Sequence, residues 1–399
     1  MISRLALARP LVWLLLVGVA CAQTQHAPVP AAPSASASAP APATADVDAT
    51  LDALLTAHRD QRGGVVYASG ADPVDPAWFG IALVTVSGEV FTAGDAERSF
   101  PIQSTAKPFT YGLALADHGL ETLLERVGVN ATGLPFDSLI ASSVRARRRQ
   151  NPMVSAGALA TMATIRGRDD DDKWRRVQDA FARFAGAEVP LSLQVYDFEI
   201  ANSEGSLALA DSLLEYDLFQ VPCRPDSPAG CFEVPDREGV GAVVSRYLRS
   251  TSQQVSARTL AVMAATLANG GANPVTGERA LAPQHVKHVL SAMVTAGLYD
   301  GSGEWFSRVG LPAKSGVSGN VIAVVPGRFG VAVYSPLVDP SGNSVRGVAA
   351  LRDLSERWGL HILAPGAPTP IGASPEATPG ECSGRQDLGD LACRFLKGP

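Results

Sequence analysis

The sequence predicts an α+β fold in which strands from both ends of the chain join into one antiparallel sheet, while the central residues form a helical lobe. Two β-rich stretches with hairpin signals, one towards each end, predict the sheet. Helical periodicity of the apolar residues between them predicts the lobe. The chain has 399 residues, of which 46% are hydrophobic and 18% charged, so it can bury the core of one large domain or of two smaller ones.

The strands are expected where apolar and β-branched residues flank a turn. In Gly80–Ala93 the turn is Ser87-Gly88, which is typical of a tight hairpin. In the second stretch, Val321–Val325 and Phe329–Tyr334 are separated by Pro326-Gly327. Antiparallel pairing between the two hairpins would complete one sheet.

Helices are expected where apolar residues recur every three to four positions. One such run ends before Gly186, and another begins after Ser256 and ends before Asn269. The apolar positions of the two runs are Trp174, Val177, Phe181 and Phe184, then Leu260, Met263, Ala264 and Leu267. We expect a further segment, Arg346–Trp358, to pack behind the sheet.

The use of lysine points to a catalytic centre. Only five of the 33 basic residues are lysines, and two of the five lie in a pair of motifs, Ser104-Thr105-Ala106-Lys107 and Lys314-Ser315-Gly316. Arginine stays charged at any ordinary pH, whereas a buried lysine can lose its proton and act as a base. The two motifs therefore predict a site in the cleft between sheet and lobe, with Ser104 on a helix and Lys314 on an edge strand.

The spacing of Ser104 and Lys107 suits nucleophilic catalysis. If Ser104 opens a helix, residues three apart lie on one face with Cβ atoms roughly 5 to 6 Å apart, so the amine can reach the hydroxyl and activate it. Pro108 fits the first turn, and His118-Gly119 is expected to end the helix. Backbone N–H groups at the helix start would stabilise an oxyanion beside the serine. The alternative is an ordinary capped helix with a surface lysine.

Both ends of the chain differ in composition from the rest. Residues 1–22 have the pattern of an export signal, because basic residues flank an apolar stretch too short to span a bilayer. Cleavage after Ala22 is favoured, and acylation of Cys21 as a lipid anchor is the alternative. Residues 23–47 read as an Ala/Pro/Ser-rich linker, 48–364 as the catalytic domain and 365–399 as a Pro-rich tail. We therefore expect a periplasmic or secreted bacterial protein with no membrane span.

The four remaining cysteines form two closely spaced pairs. Cys223 lies near Cys231 in the sequence, and Cys382 lies near Cys393. Of the three connectivities, pairing within each pair is the most economical because each bond would close a short loop, and export favours oxidation. We predict two disulfides.

Composition argues against several classes of partner. The formal net charge is −6, and no basic cluster indicates nucleic acid binding. His285 and His288 are the only close histidine pair, and no further ligand completes a site, so we expect them on a helix surface and expect no metal. The sequence lacks a glycine-rich phosphate or dinucleotide loop, so no organic cofactor is expected.

Several stretches resemble the serine-dependent glutaminase family, and the likeness extends over about residues 50–360. The most family-specific stretch is Gly310–Val317, which contains the second lysine motif. The others are Phe100–Pro108, Asn151–Ala158, Met263–Gly271 and Gly297–Asp300. The resemblance implies the β-lactamase/transpeptidase-like fold, in agreement with the α+β architecture, and a homo-oligomer, either a dimer or a tetramer.

The resemblance also implies a reaction and its residues. The reaction is hydrolysis of the side-chain amide of L-glutamine to glutamate and ammonia through an acyl-enzyme. Ser104 would be the nucleophile and Lys107 its base, while Tyr299 would relay a proton to or from the leaving ammonia. Backbone N–H groups of Ser104 and Val317 would form the oxyanion hole. The positions that hold the α-amino and α-carboxylate groups fall on Tyr67, Glu199 and Tyr247.

Two departures from the family pattern bear on the substrate. Ser155 and Ser206 occupy positions where the family carries substrate-binding asparagines. Each change replaces an amide, with two N–H donors and a carbonyl acceptor, by a shorter hydroxyl. A lost hydrogen bond to a charged ligand costs on the order of 1.5 to 3 kcal/mol. Weak glutamine binding, or a bulkier amide substrate, is therefore an open alternative.

Three other interpretations stay open on the sequence alone. The first is another serine amidase or esterase of the same fold, acting on a γ-glutamyl amide, a peptide or a cell-wall fragment. The second is a penicillin-recognising enzyme, which the two lysine motifs fit equally well, although the longer family-like stretches argue against it. The third is an extracytoplasmic binding module that has lost useful catalysis through Ser155 and Ser206.

Overall fold

The structure is a computed structural model, and it describes residues 44–67, 70, 73–131, 133, 135, 137–138, 149–219 and 237–364. All of these residues lie in one compact unit. The predicted export signal and C-terminal tail lie outside the described residues, and so do Cys21 and both predicted cysteine pairs. The first helix begins at Thr44, so the last four residues of the predicted linker are helical.

The bounds of the elements follow in chain order. The strands are β1 Val65–Val66, β2 Gly80–Thr85, β3 Val90–Gly94, β4 Phe100–Pro101, β5 Gln254–Val255, β6 Ala313–Gly316, β7 Asn320–Val325, β8 Phe329–Tyr334 and β9 Leu337–Val338. The helices are α1 Thr44–His58, α2 Lys107–Leu124, α3 Ser155–Thr164, α4 Asp170–Ala185, α5 Leu193–Ala201, α6 Glu204–Glu215, α7 Arg237–Thr251, α8 Ala257–Ala268, α9 Pro283–Ala296, α10 Ser302–Val309 and α11 Val345–Trp358. Two short 3₁₀ helices, Gln103–Ala106 and Tyr299–Gly301, belong to the site described below.

The central sheet joins strands from both ends of the chain, as the sequence predicts. Its order is β3-β2-β8-β7-β6, and every neighbouring pair is antiparallel. The predicted hairpins are β2–β3, with Gly88 in the turn at φ 91°, and β7–β8, with Gly327 in the turn at φ 72°. Strand β6 lies at the edge, so Lys314 is on an edge strand. The prediction of an α+β fold is confirmed.

Helices cover the sheet on both faces. On one face α1, α10 and α11 pack over a core that includes Leu51, Trp305, Val331 and Leu354. Helix α11 is the predicted backing segment. On the other face α8 lies directly against β2, β7 and β8, whereas the sequence analysis placed it in the helical lobe. Helix α8 can lie on the sheet because β8 has no side chain at Gly330. A Cβ there would lie 2.1 Å from the backbone N of Ala265 on α8.

The helical lobe is built around an aromatic cluster. Phe109 of α2 lies 4.9 Å from Phe184 and 6.2 Å from Phe181, both on α4, measured between ring centroids. Helices α3, α6, α7 and α9 enclose the same core. Edge-to-face and tilted aromatic contacts of this kind add to the stabilisation from burial.

The helix boundaries follow the predicted signals. Ser256 caps α8 by accepting a hydrogen bond from the Thr259 N–H, and Gly186 ends α4 with φ 74°. Helix α2 is interrupted at Gly119, where φ is 73° and ψ is 170°, in agreement with the predicted end at His118-Gly119. Among the helices of the described segments, none is both long enough and apolar enough to cross a membrane.

Candidate active site

The serine and lysine of the first motif are in direct contact. Lys107 Nζ donates a hydrogen bond to Ser104 Oγ at 2.8 Å. Ser104 lies in the 3₁₀ turn Gln103–Ala106 that leads into α2, rather than in the α-helix itself. The tighter turn keeps residues i and i+3 on the same side, so the predicted contact forms. Ser104 is 7% exposed and Lys107 is 3% exposed.

Burial changes the chemistry of the Lys107 amine. Desolvation lowers the pKa of Lys107 to about 7 from an ordinary value of 10.5. Within the described segments, Lys107 forms no ion pair that would hold it in the charged form. A large fraction of the amine is therefore neutral near pH 7 and able to accept a proton from the serine hydroxyl.

Strand β7 and the turn before it hold the serine-bearing turn in place. Asn320 Nδ2 donates to Ile102 O at 2.9 Å and contacts Thr105 Oγ1 at 3.0 Å, and Ser318 Oγ donates to Pro101 O at 2.7 Å. These bonds bring the Gly316–Asn320 turn against the segment that carries the serine. The bonded residues are more than 200 positions apart in the sequence. Because no local pattern marks such contacts, neither Asn320 nor Ser318 was predicted from the sequence.

The predicted oxyanion-hole residues have N–H groups without a described acceptor. Within the described part of the chain, no backbone oxygen accepts a hydrogen bond from the N–H of Ser104 or of Val317. Ser104 N–H lies at the open start of the 3₁₀ turn, where helices leave their first donors unused. Val317 directly follows strand β6. The two donors are thus available for a developing negative charge.

Tyr299 also contacts the predicted nucleophile Ser104. Its hydroxyl is hydrogen-bonded with the Ser104 side chain and donates to Ser315 O at 3.4 Å. Its backbone has φ 58°, a left-handed conformation that is uncommon for a residue with a side chain. Burial raises the pKa of Tyr299 to about 12, against the opposing effect of hydrogen bonds from the side chains of Ser104 and Ser315, so the phenol keeps its proton.

A second tyrosine lies behind Lys107. The Lys107 amine is 5.7 Å from the centroid of the Tyr247 ring, and the Tyr247 hydroxyl is hydrogen-bonded with the side chain of Ser155. Burial raises the pKa of Tyr247. Ser155 is buried in the first turn of α3. The structure thus brings together two of the residues that the sequence analysis assigned to the substrate.

Glu199 is bonded to the serine-bearing turn, and Tyr67 lies near Glu199. Glu199 Oε1 accepts a hydrogen bond from Gln103 Nε2 at 2.8 Å. Burial raises the pKa of the Glu199 carboxyl, and the bond from Gln103 opposes that rise. Tyr67 is 38% exposed, and burial together with the Glu199 charge raises its pKa to about 12. Glu199 and Tyr67 are close enough to interact electrostatically.

Gln103 is a member of the site that sequence reasoning missed. It directly precedes Ser104, it is buried, and its backbone has φ 48°. Its position in the motif was the only available signal. Ser206, by contrast, is half-buried on α6, and within the described residues it makes no hydrogen bond with the other predicted site residues.

The residues of the second lysine motif are buried on β6. Lys314 is 0% exposed, and its amine donates to Gly297 O at 2.9 Å and to Ser315 O at 2.7 Å. Ser315 Oγ lies 3.5 Å from Gly297 O, and Gly316 pairs with Asn320 across the β6–β7 turn. The motif therefore connects the edge strand to the segment that carries Tyr299.

No cluster of three potential metal-ligating side chains occurs among the residues that the structure describes. His285 and His288 lie half-buried on α9, and burial lowers the pKa of both. The described side chains around Ser104 are hydroxyls, amines, amides and one carboxylate, which is a set suited to proton transfer and hydrogen bonding.

The fold and the site define a class. An antiparallel sheet built from both chain ends, with a Ser-x-x-Lys turn facing a lysine on the edge strand, is the β-lactamase-like α+β fold. A probable glutaminase, YbaS, has this fold at a TM-score of 0.74 and 33% sequence identity, covering 81% of this chain and 100% of that chain. The Bacillus subtilis probable glutaminase has a TM-score of 0.69 and 25% identity, covering 79% of this chain and 97% of that one.

Sequence comparison identifies the family. The Glutaminase family model matches residues 67–363. A glutaminase from Microcystis aeruginosa is 41% identical over 288 residues, which is 72% of this chain and 80% of the relative. A glutaminase from Trichormus variabilis is 40% identical over 315 residues, 78% of this chain and 89% of the relative. The chain belongs to the glutaminase family, and it is an enzyme of the amidohydrolase class.

Proposed function

We propose that this protein hydrolyses the side-chain amide of L-glutamine to glutamate and ammonia, with Ser104 as the nucleophile. The observation that carries the proposal is the 2.8 Å contact between Ser104 Oγ and the Lys107 amine, whose pKa burial lowers to about 7. A hydroxyl is a weak nucleophile until a nearby base takes its proton. The names of the relatives supply the substrate.

Acylation takes place in two stages. Lys107 accepts the Ser104 proton while Oγ attacks the amide carbon of the substrate, and the N–H groups of Ser104 and Val317 stabilise the oxyanion. The C–N bond then breaks, and the nitrogen leaves as ammonia with a proton that Tyr299 relays from Lys107. The product of this half-reaction is a γ-glutamyl ester of Ser104.

Deacylation repeats the chemistry with water. Lys107 takes a proton from water as the water oxygen attacks the ester carbon, and the C–O bond to Ser104 breaks. The proton returns to Ser104 Oγ, and glutamate leaves. Tyr299 can serve as the relay in acylation because its raised pKa keeps the phenol protonated at neutral pH.

We assign the α-amino and α-carboxylate groups of glutamine to the part of the site that contains Glu199, Tyr67 and Tyr247. Glu199 offers the negative charge that an α-ammonium requires, and Tyr67 and Tyr247 offer phenol hydroxyls to the α-carboxylate. Ser155 and Ser206 complete the set with short hydroxyls. Support for this assignment comes from the resemblance and from the proximity of Tyr67 to Glu199 and of Ser155 to Tyr247.

The experiment that tests the proposal is ammonia release from L-glutamine by the purified protein. L-asparagine and a set of γ-glutamyl amides are compared at equal concentration, with the Ser104→Ala variant as the control. We expect turnover of glutamine, little turnover of asparagine, and none by Ser104→Ala, whose fold should be intact by circular dichroism. Equal rates for Ser104→Ala and wild type would contradict the assignment of the nucleophile.

A second candidate is an amidase of the same fold that acts on another γ-glutamyl or peptide amide. The observation that favours it is the pair of serines, Ser155 and Ser206, which leaves more space and fewer N–H donors where a free amino acid would be held. Faster turnover of a γ-glutamyl or peptide amide than of glutamine would select this candidate. Tight glutamine binding with no ammonia release from any amide would instead identify a binding module.

We further propose that the protein is exported and forms a homo-oligomer. Support for export comes from residues 1–22, and support for two disulfides from the cysteine spacing. Intact-mass measurement before and after reduction tests signal cleavage and disulfide formation. We expect a mature chain that starts at Gln23 and contains two disulfides. A lipid mass on Cys21 would indicate an anchor, and four free thiols in exported protein would contradict the disulfides. Light scattering gives the oligomeric state.

A further inference from the structure

Lys314 is a buried lysine to which the proposed reaction assigns no step. It lies on β6, fully buried, and its amine contacts two backbone carbonyls, Gly297 O at 2.9 Å and Ser315 O at 2.7 Å. The same nitrogen lies 3.9 Å from the centroid of the Tyr299 ring. Among the described residues, no carboxylate forms an ion pair with Lys314. All its described contacts are therefore with the segment around Tyr299 or with its own strand.

Tyr299 needs such support. Its backbone φ of 58° is unfavourable for a residue with a Cβ, and such conformations persist only where neighbouring groups fix them. The helix α9 ends just before it, and Gly297 O at that end accepts from Lys314 Nζ at 2.9 Å and from the Ser315 N–H at 3.2 Å. The Lys314 amine thus ties the backbone on the N-terminal side of Tyr299 to strand β6.

Lys314 and Tyr299 also share one acceptor. Ser315 O receives a hydrogen bond from the Lys314 amine at 2.7 Å and from the Tyr299 hydroxyl at 3.4 Å. The Tyr299 hydroxyl is in turn hydrogen-bonded with Ser104. The amine therefore contacts the carbonyl beside the Tyr299 hydroxyl and the face of the Tyr299 ring, and both contacts limit the rotation of the ring.

We infer that Lys314 is the positioning residue for Tyr299, holding its ring and hydroxyl at Ser104 through Gly297 O, Ser315 O and the ring face. This inference rests on the proposed function in that Tyr299 relays the proton to the leaving ammonia. Lys314 itself is fully buried, and its described hydrogen bonds reach neither Ser104 nor Lys107, although its amine lies close enough to Lys107 to interact electrostatically. Its hydrogen bonds and ring contact therefore act on the reaction through Tyr299.

The kinetic test compares Lys314→Met, Tyr299→Phe and the double variant. Two substrates are used: L-glutamine, whose ammonia needs a proton to leave, and γ-glutamyl-p-nitroanilide, whose leaving group needs much less help. We expect kcat for glutamine to fall roughly 100-fold in Tyr299→Phe and at least about 10-fold in Lys314→Met, with KM little changed. The double variant should be no slower than Tyr299→Phe, and the anilide should lose much less than glutamine in all three.

The matched control is Lys287→Met, which removes an exposed lysine on α9 and should leave both rates unchanged. Losses that multiply in the double variant would mean that Lys314 acts independently of Tyr299, and equal losses for both substrates would mean a general structural defect. Either result would overturn the inference. If Lys314→Met does not fold, Lys314→Gln takes its place, because a glutamine side chain is shorter and cannot make all three contacts of the lysine amine, and this variant is judged by the same criteria.

A second measurement does not depend on activity. With ¹³Cζ-labelled tyrosine, the Tyr299 resonance is assigned by its loss in Tyr299→Phe, and we expect it to shift and broaden in the Lys314 variant but not in Lys287→Met. An unshifted resonance overturns the inference whatever the kinetics. If the wild type hydrolyses neither substrate, the proposed function fails while this measurement still decides the role of Lys314.

Discussion

At the residue scale, burial changes the pKa values of ordinary side chains in the site. The pKa of Lys107 is lowered to about 7 because the amine lies 3% exposed with no described anionic partner, which suits it to the proposed role of base. Glu199 carries a raised pKa for the same reason, moderated by a bond from Gln103. The chemistry of the site therefore comes from where the fold places these groups as well as from which groups they are.

The first prediction concerns pH. Since the pKa of Lys107 is lowered to about 7, the neutral base predominates above that pH and is lost below it. We expect kcat/KM for glutamine to rise through about pH 7 and to fall roughly 10-fold per pH unit below it. A pH–rate profile from 5 to 9 measures this. Lys107→Arg should be nearly inactive throughout, because guanidinium stays charged, and wild-type-like activity in that variant would remove lysine from the mechanism.

The second prediction concerns Ser155. Replacing it by asparagine adds two N–H donors beside Tyr247, so Ser155→Asn should tighten glutamine binding by at least about 10-fold, the equivalent of one hydrogen bond to a charged ligand. Calorimetric titration of glutamine into the Ser104→Ala background measures affinity without turnover. Ser155→Ala, which removes the hydroxyl, is the control and should bind more weakly. An unchanged or weaker affinity for Ser155→Asn would mean that the pocket differs from that of the family.

At the element scale, the site is assembled by contacts between an edge of the sheet and the start of α2. The turn between β6 and β7 is bonded to the serine-bearing turn through Ser318 and Asn320. Those bonds hold the chain neighbours of Val317 against the chain neighbours of Ser104. The relative position of two elements far apart in sequence thus controls the proposed oxyanion hole.

The third prediction tests that coupling. Asn320→Ser removes the amide that bonds Ile102 O and Thr105 Oγ1, so it should lower stability by about 1 to 2 kcal/mol and kcat by at least about 10-fold. Urea unfolding and steady-state kinetics measure the two effects. Asn269→Ser, which removes a bond to Ala272 O at the end of α8, is the control and should lower stability alone. Full kcat in Asn320→Ser would show that the turn is held by other contacts.

The sequence predicts the elements better than their contacts. Hairpins and helix ends are recognisable because Ser87-Gly88, Ser256 and Gly186 act locally. The left-handed backbone of Gln103 and Tyr299 leaves no local signal, since tertiary contacts fix it. For α8, the periodicity of its apolar residues indicated a helix but did not distinguish the sheet face from the lobe.

At the scale of the whole molecule, the two ends of the domain are fastened to each other. His58 Nε2 on α1 and Asp353 Oδ2 on α11 lie within hydrogen-bond distance, 2.8 Å apart. Arg346 is fully buried, and its guanidinium donates to Ser335 Oγ at 2.6 Å, to Trp78 O at 3.1 Å and to Pro76 O. This guanidinium joins α11, the residue that follows β8 and the segment before β2.

The fourth prediction concerns this guanidinium. Arg346→Met leaves several buried acceptors unpaired, so it should lower the free energy of unfolding by about 3 kcal/mol or more while the folded fraction keeps its kcat. Arg352→Met on the same helix removes only an exposed pair with Asp353 and should change stability by less than about 0.5 kcal/mol. Urea midpoints for the two variants make the comparison. Equal midpoints would contradict the structural role of Arg346.

The measurement that tests the central claim most directly is mass spectrometry of the acyl-enzyme. Protein mixed with γ-glutamyl-p-nitroanilide and quenched in acid during turnover should carry one γ-glutamyl group, located on the peptide that contains Ser104 and absent from Ser104→Ala. Adduct formation at the rate of the p-nitroaniline burst is the expected result. Turnover with no adduct, or an adduct on another residue, would contradict the assignment of Ser104 as the nucleophile.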